Sequence, residues 1–247
     1  MAVTVREFEA CFRRIRRRVP SLDAPVMRLM AIRGADPFLI AVGTVLSART
    51  RDDTLAPFLA QFFRVVRAPR DVLAIPRRRL ERMLRPTGFY RTKARALRGL
   101  AEALLQRHGG RVPQTMDELL ALPGVGIKVA AIIMVEAFGK DAISVDTHVH
   151  RISNRLGLVR TRTPEKTCEA LYRLLPRRLW RHVNVNLVAL GQTICQPRRP
   201  LCERCPIDAR CPKIGVARRP LPARAPTGRA ERAVAVAGGT RRAHLTR

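Results

Sequence analysis

Lysine is nearly missing from a chain otherwise crowded with positive charge. Of 48 Lys and Arg, only five are lysines: Lys93, Lys128, Lys140, Lys166 and Lys213. Acid is scarce too, with 19 Asp and Glu, which leaves a formal net charge of +29 over 247 residues. No apolar run approaches the roughly 20 residues that a membrane-crossing helix needs, so no span is expected. Period-two alternation is missing, which argues against a sheet-built fold, and no long-range repeat argues for a solenoid. The opening stretch has no apolar core of a secretory signal. Its arginines resemble those of a transit peptide, but Glu7 and Glu9 interrupt them, and Phe8, Phe12, Ile15 and Val19 share one helical face. It reads as a first structural helix.

What is present follows from that balance. A pI near 11.7 implies a polyanionic partner, and nucleic acid is the first candidate. An arginine-rich proteome would give the same excess and does not exclude DNA. An acidic membrane surface fits less well, because the charge is spread along the whole chain. Hydrophobic residues make up 47%, enough for a core in one large or two smaller domains. Apolar spacings of three and four predict helices over about 37–48, 78–84, 92–108, 115–121, 127–138, 147–156, 164–175 and 180–192, with Asp52 or Asp53 capping a further one. Residues 216–247, rich in Arg, Pro, Gly and Ala, read as a disordered basic tail.

Chemistry concentrates in three places. In "LPGVGIKVAA", a glycine-rich turn joins two helical patterns, and Lys128 follows it. Gly124, Val125 and Gly126 form the turn; its glycines allow backbone angles closed to other residues and leave amides uncovered to grip a phosphate. An ordinary tight turn between helices is the competing reading. Lysine at this point matters because arginine cannot lose its proton in a protein, whereas a neutral lysine amine is a nucleophile. In "SVDTHVH", Asp146 reads as a helix N-cap, a role compatible with catalysis. His148 and His150, two apart, point to different helical faces and make a poor metal pair; they read as surface or phosphate contacts. Cys195, Cys202, Cys205 and Cys211, spaced C-x6-C-x2-C-x5-C, can enclose one metal centre. Zinc and iron–sulfur both remain open, although a single CxxC tilts towards iron–sulfur. Arg198 and Arg199 lie between the first two of these cysteines and are placed to meet phosphates. Cys11 and Cys168 stand apart and are expected to be buried or free thiols.

Together these segments resemble the endonuclease III family of helix-hairpin-helix DNA glycosylases. The resemblance runs from about residue 30 to Cys211 and rests on "LSARTRD", "GFYRTKA", "LPGVGIK", "VDTHVHR" and the four cysteines in order. It implies an all-α fold of two helical domains with DNA in the cleft between them. Residues 30–140 would form a six-helix barrel. Residues 1–29 would pack with 141–215, which would hold a [4Fe–4S] cluster on the four cysteines. It implies a bifunctional glycosylase and AP lyase, with Lys128 as nucleophile, Asp146 as its partner, and damaged double-stranded DNA, oxidised pyrimidines above all, as substrate. The protein would act as a cytoplasmic, nucleoid-associated monomer in a bacterium or archaeon. Arg49 stands where the family often has glutamine, in a position to enter the space left by the extruded base, and Phe89 would be the apolar wedge. A monofunctional mismatch glycosylase of the same fold is an alternative. It would lack the lysine and carry a carboxylate in "PFLIAVGTVLSART", which has none, and a further domain, whereas only 36 residues follow Cys211. A non-catalytic DNA-binding protein is the other alternative, and Lys128 and Asp146 in register argue against it.

Overall fold

The apolar residues of this chain recur at helical spacing, and helices bury them in two separate cores. The computed structural model describes residues 4–18 and 34–216; among these there is no strand. Helix α1 (Val5–Arg18) begins with Thr4 and Glu7 capping each other's backbone, and it turns Phe8, Cys11, Phe12 and Ile15 inward. Val19, expected on that same face, lies outside the described residues.

The first core is built from the middle of the chain. Helix α2 (Pro37–Ser47) starts where Asp36 accepts a hydrogen bond from the Phe38 amide at 2.7 Å. It is buried along most of its length, because α8 (Ile127–Phe138) and α6 (Tyr90–His108) cover it. Helices α3 (Asp52–Phe62), α4 (Pro69–Ala74), α5 (Arg77–Met83) and α7 (Met116–Leu120) complete this core around Leu55, Leu80, Leu97, Leu104 and Ile133. The second core joins α1 to α9 (Thr147–Arg155), α10 (Pro164–Leu174) and α11 (Arg177–Thr193) around Phe8, Ile152, Leu171 and Leu187.

Two expectations need correction. Asp52 and Asp53 are the first two residues of α3, not its cap; extended Arg51 precedes the helix without a side-chain cap. Helix α4 was not anticipated, since six residues are too few to show a period. Its start is fixed by Asp71, which accepts from the Arg67 and Ala68 amides at 2.8 and 2.9 Å.

Candidate active site and nucleic-acid interface

Helices α7 and α8 are joined by the turn that contains "PGVG". Gly124 is in the left-handed region at φ +79°, and a Cβ there would lie 2.7 Å from Ala96 Cβ. Only glycine satisfies both constraints. Gly126 is different: its backbone is extended, and a Cβ would meet nothing within 4 Å. The expectation that both glycines serve special backbone angles therefore holds for Gly124 alone; Gly126 leaves open space over the start of α8. Val125 is buried in the first core, so only its backbone belongs to the surface. Exposed Ile127 and Lys128 begin α8, beside amides that the helix itself leaves unpaired.

Lys128 stands on the wall of a cleft of ≈ 690 Å³. Ile132 and Glu136 follow it at intervals of four on the same face of α8. Opposite are Asp146, Thr147 and His148 at the start of α9, Asn184 and Val188 of α11, and Glu165 of α10. The segment after α2 adds Arg49, Thr50 and Arg51 to the lining. The walls are held in register by polar links: Ser144 Oγ reaches the Lys128 carbonyl at 3.5 Å, and Asn184 Nδ2 donates to the Ser144 carbonyl at 3.2 Å.

Asp146 is the N-cap of α9. Its Oδ1 accepts from the His148 and Val149 amides, each at 2.9 Å. Both bonds use one oxygen, so the other is available to the cleft. His148 is half-buried, and Arg151 Nη2 lies 3.1 Å from its Nδ1. Burial lowers the His148 pKa, the charges of Arg151 and Lys128 act in the same direction, and Asp146 opposes them. The imidazole is pressed on Gly191, where a Cβ would lie 2.5 Å from Nδ1. His150 is partly buried, and its Nδ1 lies 2.6 Å from Oγ1 of buried Thr167.

Arg49 and Phe89 meet at the rim. The Arg49 guanidinium carbon lies 4.9 Å from the Phe89 ring centroid. Both residues have positive φ, 54° and 46°, a conformation in which a non-glycine residue is strained. Phe89 is 58% exposed.

The four cysteines surround one small apolar cavity next to α9, lined also by Ile152, Leu156 and Ile207. Among the described residues, no three His, Cys, Asp or Glu side chains stand so as to hold a single metal ion. Burial raises the thiol pKa of Cys202, Cys205 and Cys211, that of Cys205 to about 11. Two arginines that sequence reasoning missed hold the first cysteine. Arg155 donates to Cys195 Sγ at 3.3 Å and to the Gln196 and Pro197 carbonyls at 2.8 and 2.7 Å; Arg151 donates to the Cys195 carbonyl at 2.8 Å. Their signal was present in "THVHRISNR", where an arginine occupies a buried position between Ile152 and Leu156. The loop with exposed Arg198 and Arg199 thus hangs on α9. Cys11 and Cys168 are buried, as expected.

An all-helical chain with a glycine hairpin and an exposed lysine at the wall of a basic-rimmed cleft is built as a helix-hairpin-helix DNA repair protein. Residues 42–177 match the HhH-GPD superfamily of base excision DNA repair proteins. Endonuclease III of Thermotoga maritima is 46% identical over 176 residues, which cover 71% of this chain and 83% of that protein. The structure of a non-covalent endonuclease III–DNA complex matches with a TM-score of 0.76 at 32% identity, covering 85% of this chain and 96% of its own. That of a trapped endonuclease III–DNA covalent intermediate matches to the same extent, with a TM-score of 0.76. The chain belongs to the HhH-GPD superfamily and, within it, to the endonuclease III family. Its activity is that of a base excision repair DNA glycosylase and AP lyase.

Proposed function

We propose that Lys128 is the nucleophile and Asp146 its charged partner in a bifunctional reaction on damaged duplex DNA. The observation that carries this is their shared cleft: a solvent-facing amine in the first turn of α8 and a carboxylate using one oxygen as a cap. A base inside the helical stack is out of reach, so the damaged nucleotide must first be flipped into the cleft. The neutral amine of Lys128 attacks C1′. The bond from C1′ to the base breaks, and the base leaves with the electron pair and takes up a proton. Asp146 accepts the proton released by the amine or stabilises the cationic sugar. The sugar ring opens to a Schiff base on Lys128. Loss of a C2′ proton then expels the 3′ phosphate by β-elimination, and water hydrolyses the imine.

Oxidised pyrimidines are the proposed lesions. A duplex with one such base should give base release together with a nicked strand bearing a β-elimination end. Base release that leaves an intact, alkali-labile strand would instead mark a monofunctional glycosylase.

The two cores correspond, in this reading, to a barrel over residues 30–140 and a second domain over 141–215 joined by the N-terminal helix. A [4Fe–4S] cluster on Cys195, Cys202, Cys205 and Cys211 fits the second. Four thiols around one apolar cavity suit such a centre, which takes four cysteine ligands. Bound there, the cluster would cross-link the segment after α11. Purified protein should be coloured and carry about four irons per chain, as such a cluster requires. Colourless protein with one zinc would contradict it.

Gly124, Gly126 and the amides at the start of α8 are proposed to hold the DNA backbone, His148 to line the pocket, and Arg49 with Phe89 to enter the space left by the base. Arg198 and Arg199 are proposed to contact phosphates. Since each lost phosphate contact lowers the slope of log affinity against log salt by about 0.9, Arg198→Ala with Arg199→Ala should flatten it by roughly one to two units. An unchanged slope would remove both from the interface.

A further inference from the structure

Lys93 is the one lysine of the five that is buried, at 5% exposure. It sits on the inner face of α6, in the company of Ala94, Leu97, Leu100 and Leu104. An apolar side chain would suit that face better, since burying a charge is costly unless it is bonded. Burial lowers its pKa to about 8, the mark of that cost. The ammonium is bonded at both ends of a gap. Nζ donates to Thr50 Oγ1 at 2.6 Å and to the Thr87 carbonyl at 2.7 Å. Thr50 Oγ1 lies 2.8 Å from the same Thr87 carbonyl and 2.8 Å from the Leu46 carbonyl. Thr87 in turn donates from Oγ1 to the Leu84 carbonyl at 2.8 Å.

These partners belong to two segments distant in sequence. Thr50 follows Arg49, and Thr87 is separated from Phe89 by Gly88 alone. Arg49 and Phe89 are two of the three non-glycine residues with positive φ among the described residues, and they touch each other. Strained conformations of this kind cost roughly 1–3 kcal/mol each and persist only where the surroundings over-determine them. The tie between Thr50, Thr87 and Lys93 joins the two segments within two residues of both. A compact ammonium with three donors fits between two close acceptors; the broad guanidinium fork does not, which accounts for lysine here in a chain that mostly uses arginine.

We propose that Lys93 is a positioning residue for base extrusion: its buried ammonium ties the two segments so that Arg49 and Phe89 reach the duplex as one preset pair. This rests on the reading of that pair as the group that enters the helix. Insertion matters only in a duplex, where the extruded nucleotide leaves a gap opposite the partner strand. The test therefore compares single-turnover strand cleavage at one abasic site, in duplex and in the same strand unpaired. Lys93→Met should slow duplex cleavage by roughly 10- to 100-fold, the loss expected from misplaced groups, and leave the unpaired strand within about twofold. Thr50→Val, which removes the hydroxyl and not the charge, should show the same selective loss, and Thr50→Ser should restore it. Equal losses on both substrates would make Lys93 a packing residue and overturn the proposal. So would a normal duplex rate in Lys93→Met and Thr50→Val while Phe89→Ala is slow. If Phe89→Ala itself cleaves duplex normally, the reading of the inserted pair fails, and the proposal with it.

Discussion

Lys128→Gln yields no covalent adduct when borohydride is added to the enzyme and duplex DNA with an abasic site, whereas the unsubstituted protein is captured. The expectation follows from bond-making. Borohydride reduces only the imine between an amine and the opened sugar, and a carboxamide forms no imine. Lys128 is exposed at the start of α8, and its carbonyl link to Ser144 does not involve the side chain, so glutamine should leave the fold and the thermal midpoint unchanged. Duplex affinity should fall only modestly, because one charge is lost at an interface with many arginines. Base release and strand cleavage should both fall by at least about 10⁴-fold, the scale on which removal of a covalent nucleophile acts. An adduct of undiminished yield would place the chemistry on another amine.

Asp146→Asn is expected to separate capping from catalysis. Asparagine caps helices as well as aspartate does, and its side-chain oxygen can accept from the His148 and Val149 amides as Asp146 Oδ1 does. Helix α9 should therefore stay in place, with the thermal midpoint close to that of the parent. The negative charge in the cleft is lost, and with it proton acceptance and stabilisation of a cationic sugar. Turnover should drop by roughly 10²- to 10⁴-fold, the range for a positioned acid–base group. Asp146→Ala would in addition lose the cap and about 0.5–2 kcal/mol of stability. Activity within a few-fold of the parent in Asp146→Asn would leave Asp146 as a cap alone.

Much of this site was legible because its chemistry is carried by residue types that stand out locally. Lys128 is conspicuous in a chain of arginines, Asp146 precedes an amphipathic helix, and the four cysteines fall within one short segment. Long helices such as α6 and α8 announced themselves by period. What stayed hidden depends on contacts between distant segments. No local pattern brings Arg49 onto Phe89, gives both a left-handed backbone, or places Thr50 against the Thr87 carbonyl. The roles of Arg151 and Arg155 likewise depend on the distant loop from Cys195 to Pro197, whose carbonyls they hold. The short helix α4 was missed because a single turn of helix has no period to detect. The exchange of roles at Gly126, from backbone necessity to open space, is visible only once the neighbours of each glycine are known.

The most direct test of the central claim is to locate the bond. Enzyme captured by borohydride on an abasic duplex is digested with protease and nuclease, and the modified peptide is sequenced by mass spectrometry. The account predicts a sugar-derived mass on the peptide that spans "LPGVGIK", with the modification on Lys128. A modification on the N-terminal amine, on Lys93, Lys140, Lys166 or Lys213, or on no residue at all, would contradict it.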